Sequence, residues 1–261
     1  MRKPKRILLL AVVLLVVIVA GIVILKRSKK PTGQNPSAYA DGAIATTNQP
    51  TETPKTDFDK SQYSLTDPNS QWVIVNKQRP LPAGYAPNDL VVPSVGLRLA
   101  AGNQEMQVRK VTAAAMQAMF GEAKKAGYNL LLASGYRSED FQKNLYNGYV
   151  AQKGQALADT DSARPGHSEH QTGLAFDVGR ADRKCEVDPC FGDTAEGQWV
   201  ATNAHKYGFV VRYPANKQGV TGYIAEPWHL RYVGNDLATE VYQAGLTLEE
   251  FFSLPAAPDY N

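Results

Sequence analysis

The chain has 261 residues, 43% of them hydrophobic and 20% charged, which suits one ordinary globular domain with appendages. Its formal net charge of +3 is misleading, because residues 1–30 hold eight of the 28 basic residues and no acid, leaving 20 basic against 25 acidic residues in the remainder. A mildly acidic body argues against nucleic acid as a partner, since such binding draws on clustered positive charge.

Ile7 to Leu25 is an unbroken run of 19 apolar or glycine residues. As a helix rising ~1.5 Å per residue it spans about 28 Å, close to the ~30 Å hydrocarbon core of a bilayer. A cleaved signal has a shorter apolar region, of about 7–15 residues. The nearest small-x-small site, Ala38-Tyr39-Ala40, lies well beyond the run. Residues 1–30 are therefore expected to be a single-pass membrane anchor with basic flanks, a cleaved signal being the alternative. The flanks are equally basic, so charge does not set the orientation. The short N-terminus and long C-terminal body favour a body outside the cell. Residues 31–62, rich in Thr, Pro, Ala, Asn and Gln without hydrophobic period, read as a disordered linker.

A folded domain is expected over 63–255, with a short tail at 256–261. Trp72–Val75 is a strand candidate, and the Pro-rich stretch from Arg79 to Pro93 is irregular. Val108 to Lys125 has a helical apolar side and a stop at Gly127. Leu130–Ala133 reads as a buried strand, Asp140 to Lys153 as a helix, and Leu174–Val178 as a strand. Thr194 to Tyr207 suits a helix ending at Gly208, Phe209–Tyr213 and Leu230–Val233 suit strands, and Asn235–Ala244 is a helix stopped by Gly245. This irregular alternation favours an α+β fold over a doubly wound sheet. Cys185 and Cys190 sit five apart, and an extracytoplasmic location permits a disulfide between them, two free thiols being the alternative.

The chemistry concentrates in two segments. The first runs from Pro165 through His167, Ser168, Glu169 and His170 to Gly173 and Asp177; the second is Glu226-Pro227-Trp228-His229. A catalytic zinc takes three N or O ligands and keeps one position open. His170, Asp177 and His229 would supply two imidazoles and a carboxylate, with Glu226 beside them to accept and return a proton. Spacing alone supports this weakly. Seven residues along a flat strand place two side chains on opposite faces, so His170 and Asp177 converge only if the chain bends, as Gly173 permits. Glu226 and His229 have the same difficulty, which Pro227 could relieve.

Ser168-x-His170-x-x-Gly173-x-Ala175-x-Asp177, followed by Glu226-x-x-His229, resembles the zinc D-alanyl-D-alanine carboxypeptidase family, the group of the vancomycin-resistance D,D-carboxypeptidases and related L,D-carboxypeptidases. Ser134-Gly135-Tyr136-Arg137-Ser138 with Gln142, Asn76-Lys77-x-Arg79-Pro80-Leu81-Pro82, and Tyr207 to Pro214 also look like that family, and the blocks cover residues 64–253 in order. The resemblance implies one zinc ion held by His170, Asp177 and His229, with Glu226 as general base. It implies Arg137 on the substrate carbonyl oxygen, and Gln142 and Ser168 on a terminal D-alanine of a peptidoglycan stem peptide. It also implies a small antiparallel sheet with helices packed on it, the fold of hedgehog signalling domains and D,D-peptidases.

Within this reading the sequence leans slightly to D,D over L,D cleavage. A cross-bridge endopeptidase is disfavoured, because His229-Leu230-Arg231 lacks the second His that such relatives carry. A non-catalytic wall-binding module is disfavoured because no ligand is missing. Glu169 is expected to be an exposed charge, His167 a rim residue, and His205 a partly buried or capping side chain. Trp228 is expected to pack beneath the site, and Arg212 and Arg231 to make structural ion pairs.

Overall fold

The computed structural model describes residues 58–261. The expected membrane anchor at 1–30 and nearly all of the expected linker lie outside these residues. Among the described residues no helix is long and apolar enough to cross a membrane.

The elements in chain order are β1 (Leu90–Val91), β2 (Val108–Arg109), α1 (Lys110–Lys125), β3 (Leu130–Ser134), α2 (Glu139–Lys153), α3 (Gln155–Asp161) and β4 (Ala175–Arg180). They continue as α4 (Ala195–Asn203), β5 (Phe209–Tyr213), α5 (Gln218–Thr221), β6 (Glu226–Tyr232), α6 (Asn235–Ala244) and α7 (Leu248–Phe251). Four strands form an antiparallel sheet in the order β3-β4-β6-β5, and β1 and β2 make a small separate pair. The fold is α+β, as the sequence indicates. The helix expected from Val108 starts two residues later, because Val108 and Arg109 pair with β1.

Side chains alternate across the sheet. Phe176 and Val178 of β4, Leu230 of β6 and Phe209 of β5 pack with Met116 and Phe120 of α1 in the larger core. Val210 faces the other way and joins Trp72, Ile74, Leu237 and Val241 in a second core beneath α6. The same alternation puts Asp177, His229, Arg231 and Arg212 on the face away from α1. Part of that face is therefore polar and buried, which requires the charges to be paired.

Trp72–Val75 is buried but is not a strand. Backbone groups in and beside it are taken elsewhere: Arg231 Nη2 donates to the Val73 carbonyl at 2.8 Å and to that of the preceding Gln71 at 3.0 Å, and the Ile74 amide donates to the Leu65 carbonyl at 3.1 Å. The chain after α7 returns to the body. Ala257 is buried, Tyr260 meets His167 edge-on at 5.0 Å between ring centroids, and Lys77 donates to the Pro258 carbonyl.

Candidate active site

Register brings the ligand candidates together. Asp177 of β4 lies directly opposite His229 of β6, so the two share one face of the sheet although 52 positions separate their numbers. His170 arrives from the other side of a bend. It lies in a 3-10 turn over Glu169–Thr172 that ends at Gly173, whose φ is +65°. A side chain on Gly173 would also meet Arg109 Cγ at 2.8 Å, so glycine is required there on both counts. Glu226 and His229 lie on one strand, and the β5–β6 register shift between Val211 and Tyr213 brings them to one side. Glu226 Oε2 then stands 3.6 Å from His229 Nδ1.

One ligand atom from each of His170, Asp177 and His229 can be chosen so that all three lie within 4.8 Å of one another. His170 Nε2 and His229 Nδ1 each lie 3.4 Å from Asp177 Oδ1. Zinc–ligand bonds of about 2.0–2.2 Å place tetrahedral ligand atoms roughly 3.3–3.5 Å apart, so two of the three separations fit such an ion. His170 Nε2 and Asp177 Oδ1 are also buried without any hydrogen-bond partner. Orphaned buried donors and acceptors are uncommon, and a cation between them would satisfy both.

Electrostatics distinguish the two imidazoles. Burial, and then the positive charge of Arg137, lower the His170 pKa to about 4. Burial opposes charge on His229 too, but its contacts with Asp177 and Glu169 outweigh that and raise it to about 9. A proton and a dication compete for the same lone pair, so metal binding at His229 releases a proton. Burial would raise Asp177, yet the two histidines hold it well below the usual carboxylate range. At Glu226 burial outweighs the compensating charges of His229 and Arg137 and pushes it up to about 8.

The cavity beside these groups has a volume of about 240 Å³. Arg137, Gln142 and Ser168 all line it, together with the ligand candidates and Glu226. Arg137 comes just before the Ser138 N-cap of α2, and its Nη2 lies 3.7 Å from Asp177 Oδ2. Gln142, in the first turn of α2, donates through Nε2 to the Ala163 carbonyl at 2.8 Å while its Oε1 has no partner. Cys185 and Cys190 are disulfide-bonded, and Val187 and Pro189 of that small ring form part of the cavity wall.

Trp228 is buried in the larger core and also reaches the cavity. His167 is half-buried, 2.8 Å from the Asn76 carbonyl, and His205 stacks on Tyr242 with centroids 3.8 Å apart. Neither lines the cavity.

Glu169 is the clear miss of the sequence reading. It is not an exposed charge but is 1% exposed, with Arg212 Nε and Arg231 Nη1 donating to its Oε1 at 2.9 and 2.8 Å. Arg212 and Arg231 are the structural ion-pair residues expected, and two such buried guanidinium groups were the signal that an equally buried acid must exist. Tyr223 and Asp161 also line the cavity, and nothing in their local sequence marks them for it; Tyr213, which lines it too, falls in the Tyr207–Pro214 block that resembles the family.

Residues 105–235 match the family model of VanY, D-alanyl-D-alanine carboxypeptidase. A putative carboxypeptidase of Bacillus subtilis, YodJ, is 47% identical over 189 residues, 72% of this chain and 69% of its own. Among solved structures, the LdcB LD-carboxypeptidase superposes with a TM-score of 0.68 at 47% identity, covering 71% of this chain and 87% of its own. The vancomycin-resistance D,D-pentapeptidase VanY, solved as a point mutant with Zn(II), gives a TM-score of 0.57 at 33% identity over 69% of this chain and 97% of its own.

Proposed function

This chain belongs to the VanY family of D-alanyl-D-alanine carboxypeptidases and acts as a carboxypeptidase on peptidoglycan stem peptides; on that premise we propose that it is zinc-dependent and releases the terminal D-alanine through Glu226. The observation that carries the proposal is the convergence of His170, Asp177 and His229 within 4.8 Å beside a buried Glu226. Zinc held by those three side chains would supply a Lewis acid that polarises the scissile carbonyl and activates water.

The chain's own residues do the rest. Positive charge at the ligands draws the raised Glu226 carboxyl back towards its ionised form, so that it accepts a proton from the attacking water and returns it to the leaving amine. Arg137 stands at the cavity wall as a fixed cation for the carbonyl oxygen as negative charge develops on it. Gln142 and Ser168 contact the terminal D-alanine.

The higher identity to the LdcB enzyme supports L,D cleavage of tetrapeptide stems as the main activity, against the slight lean of the sequence alone to D,D cleavage of pentapeptides. The apolar run from Ile7 to Leu25 supports a place for the domain on the outer face of a bacterial cell membrane. Mass spectrometry of defined tetrapeptide and pentapeptide muropeptides, with and without chelator, tests the activity. Release of a single D-alanine, stopped by chelator and restored by zinc, is expected. Cleavage inside the stem, or release indifferent to chelator, would contradict the proposal.

A further inference from the structure

The buried charge network beside the site ends on the Nε2 side of His229, opposite the nitrogen that lies near Asp177 and Glu226. Glu169 is linked to the sheet by two arginines, and both take the same oxygen: Arg212 Nε and Arg231 Nη1 donate to Oε1 at 2.9 and 2.8 Å. Its other oxygen, Oε2, is left for the imidazole, 3.4 Å from His229 Nε2 in a long hydrogen bond. Arg212 is held in turn by Glu249, whose two oxygens accept its Nη1 and Nη2 at 2.8 and 2.6 Å. Arg231 is held by the Gln71 and Val73 carbonyls. All four charged side chains are essentially inaccessible to water, so none can swing away without stranding a charge in the interior.

From this arrangement we propose that Glu169 is a positioning residue for the metal centre: its Oε2 accepts the Nε2–H of His229, fixing the imidazole tautomer that offers Nδ1 to the ion. The inference rests on the zinc reading above and deepens it. A carboxylate only accepts hydrogen bonds, so a neutral imidazole facing Oε2 must carry its proton on Nε2. The free lone pair is then on Nδ1, the nitrogen 3.4 Å from Asp177 and 3.6 Å from Glu226. His170 is treated alike, since its Nδ1 lies 2.6 Å from the Gly135 carbonyl and its Nε2 points at Asp177. Each imidazole thus has its outer nitrogen assigned by a fixed acceptor, one a backbone carbonyl and the other Glu169. Groups behind a metal ligand tune affinity in this way.

Glu169→Gln inverts the signal while nearly conserving shape. The two arginines need an acceptor, so the amide oxygen takes the place of Oε1 and the NH2 group turns to His229. A donor facing Nε2 favours the tautomer with the proton on Nδ1, where the ion should bind. The test is the zinc dissociation constant of the full-length protein, measured by competition with a chromophoric chelator. It is read for the wild type, for Glu169→Gln, and for Glu249→Gln as a control that loosens the same network without touching His229. Glu169→Gln is expected to weaken zinc binding by about ten- to a hundredfold, while Glu249→Gln lowers stability and leaves zinc affinity within about twofold.

Nitrogen-15 NMR of the zinc-loaded wild type supplies a second readout that needs no variant to fold. A proton on His229 Nε2, with Nδ1 bound to metal, is expected. Equal zinc affinity in Glu169→Gln and wild type, an equal loss in both variants, or metal on His229 Nε2 would each overturn the proposal while leaving the zinc reading intact. A wild type that binds no zinc would overturn both.

Discussion

Glu226→Gln should cut turnover sharply and at the same time stabilise the metal-free protein. The Glu226 carboxyl is held at about 8, against an ordinary value of 4.5, because it is buried with too little compensating positive charge. In the unfolded chain it ionises near 4.5, whereas in the folded metal-free chain it keeps its proton to about 8. The folded state therefore loses relative stability as pH rises between those values. At pH 7 the cost is about 3 kcal/mol, and above pH 8 it approaches roughly 5 kcal/mol. Glutamine has nearly the shape of the protonated acid and no charge to bury, so the variant escapes the cost. In chelator, a gain of about 3 kcal/mol at pH 7 corresponds to a Tm rise of roughly 6–12 °C for a domain of this size. Denaturant melts of both proteins at pH 5, 7 and 8.5 measure it, and the advantage should grow steadily with pH. A variant whose advantage is flat across that range, or is absent at pH 8.5, would refute the claim that burial sets the state of Glu226. Turnover of the zinc-loaded variant should fall by at least about 10²-fold, the usual contribution of a general base.

Three further outcomes follow from the geometry. Zinc at about a hundred times its dissociation constant should stabilise the wild type by about 2.7 kcal/mol, read as a Tm rise in differential scanning calorimetry that His170→Ala removes. Gly135→Ala places a methyl group 2.3 Å from the Gln107 carbonyl oxygen and shifts the carbonyl that orients His170. It should cost roughly 1–3 kcal/mol in denaturant melts and weaken zinc binding in chelator competition. Replacing Cys185 and Cys190 by Ser should cost about 2 kcal/mol from loop entropy. Because Val187 and Pro189 wall the cavity, steady-state kinetics of that variant should show KM rising more than kcat falls.

The elements were legible where local pattern and tertiary environment agree. Leu130–Ala133 and Phe209–Tyr213 are short apolar runs that the fold buries almost throughout, Asn235–Ala244 carries a helical apolar period that matches the face it buries, and Gly208 and Gly245 mark helix ends in the left-handed region. Trp72–Val75 has the composition of a strand, but its Val73 carbonyl goes to a guanidinium that lies 158 positions away in the sequence. No local pattern can announce that. The ligand candidates were readable as residue types, and the resemblance singled them out. Their convergence depends on the bend at Gly173 and the pairing of Asp177 with His229, and the approach of Glu226 on the register shift in β6, which only the folded sheet displays. Glu169 was misread because a lone glutamate next to a histidine is ordinarily solvated. Its partners stand 43 and 62 positions away.

The central claim is that one ion sits among His170 Nε2, Asp177 Oδ1 and His229 Nδ1. Anomalous diffraction at the zinc edge from crystals of the zinc-loaded protein tests it most directly. A single strong peak about 2.0–2.2 Å from all three atoms, with Glu226 beside it and unbound, is the expected result. A peak held by other residues, or a fully loaded crystal with density absent from that triangle, would contradict the account.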